Sequence, residues 1–276
     1  MSDEAKAIKV GRKIAGHLPP SLRGLMQKAW SRERALATLA RVGLRELSLL
    51  VFLCLAAGSV WVFLEIAEEM SEGELQAFDS GILLALRSPG DLHDPIGPGW
   101  FEEMVRDVTA LGGNLLTIFV SLAAIGYLVL RRKEKAALFV FLAVGSGMLL
   151  SSALKMIFSR PRPDLVEHAT TVYSSSFPSG HAMTAGVVYL TLAAVLIRVE
   201  TRRHLKLYLL SLAVLVTVAV GASRVYLGVH WPSDVLAGWA AGAAWAVLWW
   251  CLALWMQRRG AVEEGADPPA QPPPGS

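Results

Sequence analysis

The chain has 276 residues, 54% of them hydrophobic, and a formal net charge of +3. Its mean hydropathy of +0.46 excludes an ordinary soluble domain, whose apolar share is roughly 45–50% even with glycine counted. The two cysteines, Cys54 and Cys251, sit inside apolar blocks, which excludes a disulfide framework or a zinc pattern and makes them buried small hydrophobes.

Residues 1–46 are polar and mixed in charge, with no early apolar core and no small-residue cleavage site, so no cleavable signal is expected. Lys9, Arg12, Lys13, Arg23 and Lys28 could meet anionic headgroups from helices lying on the cytoplasmic leaflet, or belong to a solvated arm. Six apolar blocks follow, at 47–67, 112–130, 136–158, 182–199, 205–222 and 235–256. Each is close to the roughly 20 residues that a helix needs to cross a hydrocarbon core about 30 Å thick. Lipid leaves the backbone no alternative to a helix except a closed barrel, and the alternation of barrel strands is absent.

Between the first two blocks, residues 68–111 form a segment outside the bilayer core. Leu75, Phe78, Ile82, Leu83 and Leu86 fall at helical spacing, which predicts a short interfacial helix. Ser88-Pro89-Gly90-Asp91 ends it by turn chemistry, and Asp94-Pro95 and Gly97-Pro98-Gly99 continue as loop. That helix could flank a lipid entrance or simply pack. Gly238 and Gly242 are four apart in the last block, a signal for close helix packing. The domains expected are a basic cytoplasmic segment (1–46), a six-span domain (47–256) and a Pro-, Gly- and Ala-rich disordered cytoplasmic tail (257–276).

Charge placement orients the chain. Ten lysines and arginines precede the first block, and Arg131, Arg132, Lys133 and Lys135 follow the second. Arg198, Arg202, Arg203 and Lys206 follow the fourth, and Arg258 and Arg259 the sixth, whereas 68–111 holds only Arg87 and Arg106. The bias of Lys and Arg toward cytoplasmic loops puts both termini in the cytoplasm. Trp249, Trp250 and Trp255 lie where a cytoplasmic aromatic belt belongs.

The unusual polar residues then gather at the outer ends of spans three to six. Lys155 ends an apolar helix, where a charge is costly and tends to be functional, although it could snorkel. Arg162 stands between Pro161 and Pro163, and its planar fork suits phosphate oxygens. Arg160 could share this work or only touch headgroups. Ser179 is a natural N-cap, Gly180 lets a ligand approach the backbone, and a helix N-terminus there attracts an anion. His181 beside them could donate a proton to a leaving oxygen. Asp234, four residues after His230, can hold that imidazole and leave its far nitrogen as a nucleophile, or it is a first-turn acid stabilised by the helix dipole. Arg224 adds another cation. Two histidines, several cations, a helix N-terminus and one orienting acid fit phosphoryl transfer. No carboxylate cluster is present to hold Mg²⁺, so catalysis without metal or other cofactor is expected.

These residues make the sequence similar to the type 2 phosphatidic acid phosphatase family, which is related in its site to vanadium haloperoxidases. Lys155 through Arg162-Pro163 matches the first part of the family pattern, Pro178-Ser179-Gly180-His181 the second, and Ser223-Arg224 with His230 and Asp234 the third. The resemblance covers about residues 50–256. It implies that His230, oriented by Asp234, attacks phosphorus and forms a phosphohistidine. His181 then protonates the leaving group and helps to activate water. Lys155, Arg162 and Arg224, with Ser179 and the Gly180 N–H, would hold the phosphate.

The expected fold class is therefore all-α: a polytopic membrane protein with six transmembrane helices in a bundle and its active site at the outer ends of spans three to six. It would sit in the cell (inner) membrane with the site facing the periplasmic or extracellular side. The expected function is hydrolysis of a lipid phosphomonoester or diphosphate, of undecaprenyl diphosphate, phosphatidylglycerol phosphate or phosphatidic acid type. A lipid phosphotransferase and a non-catalytic lipid-binding or transport protein are the alternatives. The partners expected are the lipid phosphate and membrane lipids, with no nucleic acid and no obligatory protein.

Overall fold

The computed structural model describes residues 47–164 and 175–258. The expectations for 1–46 and for the tail beyond 258 lie outside the described residues. Of the described residues, those from 52 onward belong to one compact unit.

Eight helices and one small hairpin make up the described chain. Helix α1 spans Leu47–Glu72 and α2 Gln76–Ala85. Strands β1 (Arg87–Ser88) and β2 (Asp91–Pro95) pair antiparallel. Then come α3 (Gly99–Ala110), α4 (Asn114–Leu130) and α5 (Glu134–Ile157). Helix α6 runs Gly180–Val199 and contains a π-helical turn at Gly186–Leu190. Helices α7 (Arg203–Tyr226) and α8 (Pro232–Arg258) complete it. Helices α1, α5, α6, α7 and α8 are each long and apolar enough to cross a membrane. Helix α4, with 17 residues, qualifies together with α3, from which it bends by 48°. The all-α, six-block reading holds, and the hairpin is the one departure from pure helix among the described residues.

The segment 68–111 carries more structure than expected. Helix α2 matches the predicted interfacial helix, and Pro89-Gly90 turns into the hairpin. Helix α3 follows the predicted loop, in a stretch for which no element was predicted. Phe101, Met104, Val105 and Val108 give it an apolar stripe at helical spacing. Glu102, Glu103, Arg106 and Asp107 between them lower its mean apolarity and hide it from a search for long apolar blocks. The stripe packs on the end of α7, where Val105 joins Tyr226, Leu227 and Val229 in a buried cluster.

Helix α6 is central. Half of its apolar window is buried, as is half of that of α8, against 11% for α1. Met183 and Val187 pack with Ala237 and Ala241 of α8 and Phe63 of α1. Val188 packs with Leu128 of α4 and Val140 and Val144 of α5. Leu83 of α2 reaches Ala182, Val225 and Val235. On the outside, Leu115, Phe119 and Leu149 are largely exposed, as lipid-facing positions are.

The α6–α8 contact is made backbone to backbone. A Cβ on Gly238 would lie 2.7 Å from the Ser179 carbonyl oxygen, and one on Gly242 would lie 2.8 Å from that of Met183. Only glycine fits at either position, because the obstructing atoms are main chain. Gly242→Val is therefore expected to force the helices apart and cost about 1–3 kcal/mol. A thermal unfolding midpoint lower than wild type in detergent checks this.

Candidate active site

Four chain ends meet at one end of the bundle. Helix α5 brings Lys155 in its last turn, and the extended residues after it carry Arg160 and Arg162. The N-terminus of α6 supplies Gly180 and His181, and the last turn of α7 supplies Arg224. His230 ends the short connection into α8, and Asp234 lies in the first turn of α8. Lys155, Arg162, Gly180, His181, Arg224 and His230 all line one cavity of about 260 Å³.

Asp234 and Ser179 stand behind that wall. The Asp234 carboxylate is fully buried and His230 is nearly so. Asp234 Oδ2 faces His230 Nδ1 at 3.3 Å and accepts from the Trp231 N–H at 3.0 Å and from the Ser176 hydroxyl. Arg162 donates one N–H to the Val229 carbonyl at 2.6 Å, and the same nitrogen lies 3.2 Å from His230 Nε2. Guanidinium has no acceptor, so Nε2 must accept there. The ring proton then belongs on Nδ1, facing Asp234, and the Nε2 lone pair points to Arg162, which lines the cavity with it. Burial holds the imidazole pKa down at about 4; the hydrogen bond and charge of Asp234 oppose this, and Arg162 and Arg224 add to it. His230 is therefore neutral near pH 7. Burial also lowers the Arg162 pKa, with Asp234 opposing, yet a guanidinium stays cationic.

The phosphate-binding candidates crowd one side. A Cβ on Gly180 would lie 2.9 Å from Lys155 Cε, so the lysine stem crosses the bare backbone of that glycine. Lys155 Nζ donates to the Ser175 carbonyl at 2.9 Å. Ser179 occupies the N-cap position of α6, but its hydroxyl makes no capping bond. It is buried with no hydrogen-bond partner among the described residues, as is Arg224 Nε. The expectation of a side-chain N-cap fails because the Ser179 N–H is drawn to the Asp234 carbonyl, at 2.9 Å, by the tight α6–α8 contact. His181 is packed from the other side: a Cβ on Gly112, in the bend between α3 and α4, would meet the His181 carbonyl at 3.1 Å.

One sequence candidate, Arg160, is placed otherwise than expected, and several other residues of this neighbourhood were not identified from sequence. Arg160 does not line this cavity and forms ion pairs with Asp234 at 2.6 Å and with Asp79 at 2.7 Å, so its guanidinium is taken up by two carboxylates. Asp79 is completely buried on α2. A signal for it existed, since it lies four residues from both Leu75 and Leu83, on the apolar face of the helix. Thr109 of α3 accepts from Arg224 at 2.9 Å. Ser176 gave no signal, being one of three consecutive serines.

A model of the PAP2 superfamily matches residues 136–258, from α5 through α8. Phosphatidylglycerophosphatase B of Bacillus subtilis (strain 168) is 34% identical over 189 residues, which cover 65% of this chain and 85% of that protein. An undecaprenyl-diphosphatase of Sulfolobus acidocaldarius is 31% identical over 125 residues, covering 42% of this chain and 54% of that one. The crystal structure of a transmembrane PAP2 type phosphatidylglycerolphosphate phosphatase from Bacillus subtilis superposes with a TM-score of 0.64 at 30% identity, covering 70% of this chain and 93% of that one. This is a membrane-embedded phosphatase of the hydrolase class. The chain belongs to the PAP2 superfamily.

A cavity with this much positive charge is expected to bind inorganic phosphate as a competitive inhibitor. Arg162→Ala removes charge-assisted hydrogen bonds worth about 1.5–3 kcal/mol to the anion. The phosphate inhibition constant should rise by about 10-fold or more, measured by inhibition or by calorimetry on the detergent-solubilised protein.

Proposed function

We propose that this protein is a lipid phosphate phosphatase that works through a phosphohistidine on His230. The single observation carrying this reading is His230, backed by a buried carboxylate at Nδ1, on the wall of a cavity that Lys155, Arg162 and Arg224 also line; an arriving phosphate would draw Arg162 from Nε2 and free its lone pair. In the first step Nε2 bonds to phosphorus as the bond from phosphorus to the lipid oxygen breaks. His181 gives its proton to that leaving oxygen. The phosphorylated ring, still protonated at Nδ1, is a cation that Asp234 holds in place. In the second step water attacks phosphorus, His181 takes its proton, and the N–P bond breaks to release phosphate and restore His230. Lys155, Arg162, Arg224 and the Gly180 N–H, which line the cavity, hold the phosphoryl oxygens as charge spreads over them, with Ser179 behind them.

The substrate is a phosphomonoester or diphosphate on a lipid, of the phosphatidylglycerol phosphate or undecaprenyl diphosphate class. The cavity is smaller than the roughly 300–1,000 Å³ that encloses a drug-sized ligand, so it takes the headgroup and leaves the chains outside. Asn114 of α4 and Ser152 of α5 are exposed members of its wall. Leu115 and Leu149 beside them are 87% and 73% exposed. The lipid tail thus leaves between α4 and α5 into the bilayer. The Lys and Arg distribution puts both termini in the cytoplasm and the cavity at the outer leaflet.

His230→Ala is expected to abolish phosphate release from a panel of phosphatidylglycerol phosphate, undecaprenyl diphosphate, phosphatidic acid and lipid A while leaving the unfolding transition in place. Near-normal turnover would sink the mechanism. A brief pulse with ³²P-labelled substrate should leave acid-labile label on wild type and none on His230→Ala. His181→Asn should slow lipid phosphate hydrolysis by about 10²–10⁴-fold; with p-nitrophenyl phosphate, whose leaving group needs no proton, the phosphoenzyme should still form and then accumulate, because its hydrolysis uses His181. The sign of the pH dependence follows from burial. A depressed imidazole pKa means that His230 stays unprotonated until the pH falls to about 4. The acid limb of kcat/KM that reports His230 therefore lies below its ordinary value of about 6.5, as a pH–rate profile measures.

A further inference from the structure

Asp234 is gripped at both oxygens. Its Oδ2 serves His230, Trp231 and Ser176, while its Oδ1 accepts from Arg160 at 2.6 Å. The other terminal nitrogen of Arg160 donates to Asp79 Oδ2 at 2.7 Å. Asp79 also reaches past Arg160 to the start of α8, accepting from the Ser233 N–H at 2.8 Å and from the Ser233 hydroxyl at 2.6 Å. Asp79 therefore caps the N-terminus of α8 from another helix, and α8 is the helix that carries Asp234.

We infer that Asp79, acting through Arg160, is a positioning residue for the Asp234–His230 pair, supplied by the outer helix α2. The inference rests on the phosphohistidine reading above. Asp79 lies outside residues 136–258, the part matched by the superfamily model.

The reason is charge. A carboxylate bound to a guanidinium is neutralised by it and has little left to offer a developing imidazolium. Asp79 supplies the second carboxylate. Taken by formal charges, Asp79, Arg160 and Asp234 together carry one net negative charge while His230 is neutral. Phosphorylation of Nε2 with the proton kept on Nδ1 turns the ring into a cation, and the buried group becomes neutral as a whole. With Asp79 absent, the same step would leave the group one charge positive in a site that already holds Arg162, Arg224 and Lys155. Position matters as much. Burying an ion pair is costly, and its best use is fixing one arrangement. Here the arrangement fixed is the rotamer of Asp234 and the register of the first turn of α8. The Arg160 guanidinium carbon also lies over the Trp231 ring, 5.5 Å from its centroid.

The groups facing His230 decide how this is read out. They are Asp234 from α8, Arg162 from the segment after α5, Arg224 from α7, and His181 and Lys155 across the cavity. Asp79→Asn leaves all of these in place and leaves the charge of Arg160 undivided on Asp234. Arg160→Gln does the reverse and frees the full charge of Asp234 for His230.

The test measures phosphate release by full-length wild type, Asp79→Asn, Asp79→Glu and Arg160→Gln in detergent, with His230→Ala as control. Asp79→Asn is expected to lower kcat by about 10-fold, as one tenfold step is about 1.4 kcal/mol, with KM within about 2-fold of wild type. Its acid limb of kcat/KM should move down and that of Arg160→Gln should move up, each by up to about one pH unit. Asp79→Glu should recover most of the rate. A merely structural loss moves both limbs the same way or neither. If Asp79→Asn does not fold, the test rests on Arg160→Gln against Asp79→Glu: the first should move the acid limb up, and the second, which keeps the carboxylate, should leave it within a few tenths of a unit of wild type. An Asp79→Asn protein with wild-type kcat and limb overturns the inference, as do limbs in Asp79 and Arg160 variants that move together. Turnover retained by His230→Ala would instead overturn the nucleophile assignment, so the two failures are distinguishable.

Discussion

Where Gly238 and Gly242 lie against Ser179, Met183 and Gly186, two helix backbones come within van der Waals contact. Helices in lipid gain little from burying apolar side chains, because lipid is as apolar as they are. Close main-chain packing replaces that driving force. Its effect on the site is direct. Helix α6 begins with Gly180 and His181, and α8 begins just after His230, so bringing their outer halves together brings both histidines to one cavity. The backbone bond from the Ser179 N–H to the Asp234 carbonyl closes this junction. The π-helical turn at Gly186–Leu190 lies beside the same contact; such turns are frequent at functional sites.

Electrostatics completes what packing begins. The cavity wall is cationic, with Lys155, Arg162 and Arg224 around two histidines. Behind the wall lie Asp234 and Asp79, both fully buried. Burying carboxylates is tolerable only where each oxygen is hydrogen-bonded and paired, and here both are, through Arg160, Ser233, Trp231 and Ser176. Positive charge therefore faces the substrate and negative charge faces the scaffold. The imidazole of His230 stands at the boundary, with the Asp234 carboxylate on one side and the cationic cavity wall on the other.

The outer segment has a larger share in this than its composition implies. Helix α2 brings Asp79 and, through Leu83, packs on Ala182, beside His181. Helix α3 brings Thr109 to Arg224, and the bend after it sets Gly112 against the His181 backbone. These elements lie between the first two apolar blocks and lack the length to span a bilayer themselves. They behave as a frame over the mouth of the bundle.

The sequence by itself determined the membrane class, the position of every long helix to within a few residues and, through three spaced motifs, six of the residues that line the cavity. It did so because a bilayer demands long apolar runs and phosphate demands cations beside histidine, and both demands are written locally. Helix α3 escaped because its amphipathic pattern is short and heavily charged. Only the tertiary structure decided that Arg160 pairs with two acids, that the Ser179 hydroxyl does not cap its helix, and that Asp79 belongs near Asp234. Those facts depend on pairs such as Asp79 and Ser233, 154 residues apart, whose meeting is set by how helices pack. No local spacing encodes that distance.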